Sequence, residues 1–205
     1  AAGFDTADEY LKSMYNPRVT QYLRVTGFEK KCDGAAAVVV MPTEKAKAMG
    51  VPYAPIEVLG TGASAVEAGL LHNEHWATEL AAKQVYDITG VSPDEIDLFM
   101  CNDFFLASEI VSAEECGYIP RGEAWKYAID GRTAFDGDKP INPHGGRCNF
   151  GHAHGASGIA DIVEAVKQMR GVAGATQMKK VPETAFLRGF GGSQNVRCQI
   201  LRTVA

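Results

Sequence analysis

The sequence lacks several things, and each absence removes a class of protein. Its five cysteines (Cys32, Cys101, Cys116, Cys148, Cys198) are scattered, odd in number and never spaced as C-x-x-C. That argues against a disulfide framework and against a zinc ribbon, and a reducing, cytoplasmic compartment fits it best. No apolar run approaches the roughly 20 residues that a membrane-spanning helix needs; the longest, such as residues 35–41, are of strand length. Lysine and arginine never gather into a long run and the net charge is −5. Nucleic acid is not an expected partner, because phosphate backbones need a clustered basic face. The first ten residues are acidic and polar, unlike a secretory signal. Methionine is missing from position 1, so the chain reads as a piece of something longer.

What is present is an ordinary globular composition. Of 205 residues, 46% are hydrophobic and 22% charged, enough for one sizeable core. The continuous apolar run at 35–41 reads as a strand covered on both faces. Asp33-Gly34 before it reads as a tight turn. Further strands are expected at 56–59, 96–101, 184–188 and 196–201, the last two as an antiparallel pair. Helical patterns fall near 7–15, 43–49, 76–88, 105–116 and 157–170, with Ser92-Pro93-Asp94-Glu95 supplying capping chemistry. In the last helix Ile159, Ile162, Val163, Val166 and Met169 should face inward. Strands and helices alternate, which places the chain in the α/β class with a mixed five-stranded sheet. Residues 117–151 lack clear elements, and so long a loop in a compact domain is often functional.

Two patterns suggest ligands and do not hold up. Gly60-Thr-Gly62-Ala-Ser-Ala65 matches G-x-G-x-x-A, but the acidic residue expected at the end of the next strand, about 20 residues on, is missing. A flexible strand-to-helix loop is the plainer reading. His72 and His75 have near-helical spacing for a metal, yet no third ligand lies nearby, and the same objection meets His152 with His154. No metal is expected.

The segment Gly145-Gly146-Arg147-Cys148-Asn149-Phe150-Gly151-His152-Ala153-His154-Gly155 carries more. Glycines let a ligand approach the backbone, and the start of a following helix offers free N–H groups and a positive dipole end. A histidine there is well placed to stabilise negative charge developing on a carbonyl oxygen. Asn102, at the end of a buried strand, is a second candidate, since strand ends present side chains to a crevice; by itself it reads equally as a turn-forming asparagine.

Taken in order, Asp33-Gly-Ala-Ala-Ala37, Asn102-Asp-Phe-Phe105, Ile141-Asn-Pro-His-Gly-Gly146, Gly151-His-Ala-His-Gly-Ala-Ser-Gly158 and Gly189-Phe-Gly-Gly192 resemble the thiolase superfamily. They look most like its branch of sterol-carrier-protein-type thiolases and lipid-transfer-like homologues. The resemblance implies a thiolase-like αβαβα layered fold of two similar halves. This chain would be the C-terminal half: residues 51–205 its domain, and 1–50 the end of the loop region and last strand of the first half. It further implies that His152 and Asn102 hold a thioester oxygen, with Gly189 and Gly191 contributing backbone. The nucleophilic cysteine would come from the missing half, and coenzyme A thioester would be substrate, with no bound cofactor. The family's Gly-His-Pro is Gly-His-Ala here. Its proton-shuttling C-x-G reads Leu187-Arg188-Gly189, and Phe104 fills the position where related branches carry a cysteine. Cys148 or His154 is left as a stand-in shuttle. The implied activity is carbon–carbon bond cleavage or formation on acyl-CoA, of thiolase, acyltransferase or retro-aldolase type. The alternative is a non-catalytic lipid- or acyl-CoA-binding homologue, or a structural subunit. Implied partners are the N-terminal half and a homodimer or heteromeric complex, a small zinc-ribbon or OB-fold subunit among its candidates.

Overall fold

The computed structural model describes residues 4–65, 77–191 and 195–204. Four strands form one mixed sheet: β1 (Ile56–Ala65), β2 (Leu98–Cys101), β3 (Thr184–Gly191) and β4 (Asn195–Thr203). Their order is β1-β4-β3-β2, with β2 parallel to β3 and the other two pairs antiparallel. Successive side chains of a strand point to opposite faces, and β2 and β3 are apolar on both. Phe99, Cys101 and Phe186 belong to one buried cluster; Leu98, Met100, Ala185 and Leu187 belong to another.

Helices cover both faces, as a sheet apolar on two sides requires. The first cluster is closed by α3 (Ala77–Thr89), whose Ala77, Ala81 and Val85 recur every four residues and bury together. It is completed from the end of α4 (Leu106–Glu115) by Ala113 and Cys116. On the other face α7 (Ser157–Met169) packs Ile162, Ala165, Val166 and Met169. Ile159 and Val163, also expected to face inward, are only partly buried and lie outside both clusters.

Five strands were expected and four are found. The missing one is the run at 35–41, which lies outside the sheet, with Val39 83% and Val40 81% exposed. Its composition suits a doubly covered strand, but among the described residues no strand pairs with it. Asp33-Gly34 is likewise not a turn. The glycine fingerprint at 60–65 is also corrected: it is neither a loop nor a phosphate cradle but the second half of β1, paired with β4 through Ala65 and Asn195. A side chain at Gly62 would run into the backbone carbonyl of Ala81, so glycine is what lets α3 lie flat on β1. Outside the sheet sit α1 (Ala7–Lys12), α2 (Thr43–Ala48), α5 (Ala124–Ile129) and α6 (Gly146–Asn149). The last two occupy the stretch read as a loop. His72, His75 and Trp76 lie outside the described residues.

Candidate active site

Where β2 ends, the ladder to β3 continues for one more hydrogen bond, from Asn102 N–H to the Arg188 carbonyl (3.2 Å). The Asn102 side chain then holds two elements together. Its Oδ1 accepts from Phe104 N–H (3.2 Å) and its Nδ2 reaches the Phe190 carbonyl of β3 (3.5 Å). Next to it Asp103 is buried and accepts a hydrogen bond from Arg147 N–H (2.7 Å). Gly146, at φ +60, lies so close to that carboxylate that any Cβ would overlap it. The asparagine turn and the glycine-rich segment are thus locked face to face.

His152 is fixed from both sides. Its N–H donates to the Lys30 carbonyl (2.8 Å), and its carbonyl accepts from Cys32 N–H (3.3 Å). The same strap reaches the asparagine turn, with Glu29 N–H donating to the Phe104 carbonyl (2.9 Å), and Lys30 N–H donating to the Arg147 carbonyl (3.0 Å). The imidazole Nδ1 lies 2.9 Å from Ser157 Oγ, which already accepts from Ala153 N–H (3.0 Å). Its Nε2 lies 3.4 Å from Glu29 Oε2. A carboxylate at Nε2 requires the proton there, so Nδ1 accepts from the Ser157 hydroxyl. Burial holds His152 below the usual imidazole value, against the pull of Glu29. That lowering favours a neutral ring at neutral pH, and the Glu29 contact favours the tautomer with the proton on Nε2.

Asn102, His152, His154, Gly189 and Gly191 all line one cavity of about 530 Å³. The structure thus gathers sequence candidates from three separate segments: the turn after β2, the glycine-rich segment before α7, and the end of β3. The His154 and His152 ring centres are 4.8 Å apart. Cys148 is not brought in. It is buried, its thiol donates to the Asp103 carbonyl (3.3 Å), and burial pushes it up to about 11. Leu187 does not reach the cavity either; it packs with Ala165 and Met169 under α7, while Gly189, two residues on, lines the wall. Phe104 stacks on Phe190 at 5.6 Å. Among the described residues no group of three histidine, cysteine or acidic side chains is placed to hold a metal.

Glu29, Ser157, Arg147 and Asp161 also border the cavity, and sequence reasoning named none of them as site residues. Arg147 is buried and grips Asp161 of α7 with both terminal nitrogens, Nη1 to Oδ1 at 2.8 Å. Burial nonetheless pushes the Asp161 carboxyl up to about 6, against the guanidinium. Ser157 could have been suspected, being polar and one turn beyond the histidine. Glu29 carries no local signal, because its neighbour is distant in sequence.

A family model described as "Thiolase C-terminal domain-like" matches residues 62–202. Over 80% of its length the chain is 36% identical to the benzoylsuccinyl-CoA thiolase subunit BbsB of Thauera aromatica, covering 43% of that protein. Over 89% it is 34% identical to an acetyl-CoA acetyltransferase of Methanothermobacter thermautotrophicus, covering 49%. The chain spans about half the length of the curated relatives it matches. Among solved structures, the Ltp2-ChsH2(DUF35) aldolase has the same fold, with a TM-score of 0.76 at 23% identity over 97% of this chain and 51% of that one.

Proposed function

The chain belongs to the thiolase C-terminal domain-like family, and from that premise we propose that it is half of an enzyme that breaks or makes a carbon–carbon bond beside an acyl-CoA thioester. In this reading His152 Nε2–H and the Asn102 amide, directly or through a water, hold the thioester oxygen while the α-carbon carries negative charge. The observation that carries it is their shared cavity, walled by Gly189 and Gly191, together with the Ser157 contact at Nδ1 that holds the ring in place. Donors preset where charge develops need no reorganisation during the reaction.

Residues 51–205 would be the C-terminal domain and 1–50 the end of the first half, whose sheet would accept the exposed run at 35–41. The half-buried outer side of α7 suits a helix lying between two sheets, as in an αβαβα stack. Coenzyme A thioester is then substrate rather than cofactor. The first half would bring the nucleophile if thiolysis is the reaction. A heteromeric assembly is supported by a relative that is itself named as a subunit, and no described helix is long and apolar enough to cross a membrane.

His152→Ala in the assembled enzyme is the direct test. Removing one oxyanion donor should lower turnover by about 10²–10³, with acyl-CoA binding little changed. Unchanged turnover would sink the assignment, and acyl-CoA binding without any turnover in the wild type would favour a non-catalytic homologue.

A further inference from the structure

We propose that Glu29 is the acid–base residue of this site, the group that removes and returns the proton when the carbon–carbon bond next to the thioester is cleaved; this rests on the oxyanion-hole reading of His152 and Asn102. Any such reaction needs a base, because the enolate must be formed and then protonated. No cysteine is found among the described residues lining the cavity. Cys148 is a buried thiol turned to the Asp103 carbonyl, and Leu187 lies in the core under α7. Asp161, gripped by Arg147, and His154, 4.8 Å from the His152 ring centre to centre, also line the cavity, but Glu29 is the acid set against the oxyanion nitrogen. Its carboxylate borders the cavity and touches the nitrogen that would hold the substrate oxygen, at 3.4 Å.

Its position is built, not incidental. Glu29 N–H is bonded to the Phe104 carbonyl of the asparagine turn, and the next residue is bonded to both Arg147 and His152. The strap therefore ties Glu29 to both loops that carry the oxyanion hole, with its carboxylate against His152. A thioester oxygen about 3 Å from Nε2 would displace the carboxylate from that nitrogen. The α-carbon, two bonds from the oxygen, would then lie within reach of the displaced carboxylate.

For a β-hydroxyacyl thioester the step balances with Glu29 alone. The carboxylate takes the β-hydroxyl proton, the bond between α- and β-carbons breaks, and the β-carbon becomes a carbonyl. The electron pair passes to the enolate, its oxygen held by His152 and Asn102. Glu29 then returns the proton to the α-carbon. No acyl-enzyme, metal or oxidant enters.

The test is α-proton exchange, which isolates the base from any nucleophile. Acetyl-CoA, propionyl-CoA and succinyl-CoA are each incubated with the assembled enzyme in D2O, and deuterium at the α-carbon is followed by mass spectrometry. Wild type should exchange with at least one of them. Glu29→Gln keeps the size and a hydrogen-bond acceptor for Nε2–H but cannot take a proton, so exchange should fall by about 10²–10⁴ while thioester binding persists. Glu29→Asp, still a carboxylate, should lose less. Exchange at the wild-type rate in Glu29→Gln would overturn the proposal and leave Glu29 as a holder of His152, with the oxyanion hole intact. If instead His152→Ala exchanges like wild type, or wild type exchanges with none of the three thioesters, the oxyanion-hole reading itself falls and Glu29 with it.

Discussion

Leu187 and Gly189 sit two residues apart on one face of β3, yet only the second meets the cavity. Motif order places a proton shuttle at Leu187; packing puts that side chain among Ala165, Met169 and Met100. Leu187→Ala should therefore cost about 2–5 kcal/mol of stability without changing chemistry per folded molecule. A thiol meant for the cavity belongs at 189, where a Cβ would meet nothing closer than the Arg197 carbonyl at 3.8 Å. Peptide-resolved alkylation of folded Gly189→Cys and Leu187→Cys variants checks this. The new thiol at 189 should be labelled, as the exposed native Cys32 should be, and the one at 187 should be protected until the protein unfolds. Equal labelling at the two positions would mean that the face of β3 is wrongly assigned.

At the scale of an element, α4 carries an acid whose surroundings hold it well above the usual carboxylate range. Glu109, in its first turn, receives a hydrogen bond from Asn142 Nδ2 (3.4 Å). Burial, helped by the nearby Asp103, pushes its carboxyl up to about 7 from 4.5. The folded value is higher than the unfolded one, so the unfolded chain gives up its proton first as pH rises. Glu109 therefore contributes its full stability below about pH 4.5, and that contribution is lost between there and about pH 7. At about 1.4 kcal/mol per unit, the shift from 4.5 to about 7 makes the loss at most about 3.5 kcal/mol. Glu109→Gln should remove this slope. The variant should be the more stable protein in denaturant titrations at about pH 8 and gain little at about pH 4.5. His144 tilts the other way: burial lowers it to about 4, so its contribution falls as pH drops from about 6.5. Comparing Glu109→Gln with wild type at each pH cancels that second slope. A destabilised variant at about pH 8 would show that the folded protein stabilises the Glu109 carboxylate rather than penalising it.

Across the whole molecule the apolar surface is unevenly covered. Val39 and Val40 are more than four-fifths exposed in an extended run with no strand beside it among the described residues, and Ile159 and Val163 leave one side of α7 partly bare. Unpaired apolar strands are templates for association. The isolated chain should elute above monomer size and melt without a single sharp transition. Adding the N-terminal half should produce one cooperative species. Replacing Val39 and Val40 by Lys should suppress self-association and, if the proposed sheet accepts this run, weaken pairing with that half. A cooperative, monomeric transition of the chain alone would count against the half-fold proposal.

Local pattern by itself determined the α/β class, four of the strands and the helix at 157–169, and motif order singled out His152 and Asn102, which the structure places on the wall of one cavity. Alternation, capping and glycine punctuation act between neighbours in sequence, so they are legible there. Only the tertiary structure decided three other matters. Gly60 and Gly62 look like a phosphate loop in isolation, and it is the approach of α3 that makes them strand glycines. The run at 35–41 has the composition of a buried strand, but composition does not say which chain supplies its neighbours. Glu29 looks like any surface acid until backbone hydrogen bonds from two distant loops set it against His152. The reason is common to all three. Side-chain pattern fixes which faces are apolar and where the chain turns, whereas which faces meet depends on contacts between segments far apart in sequence.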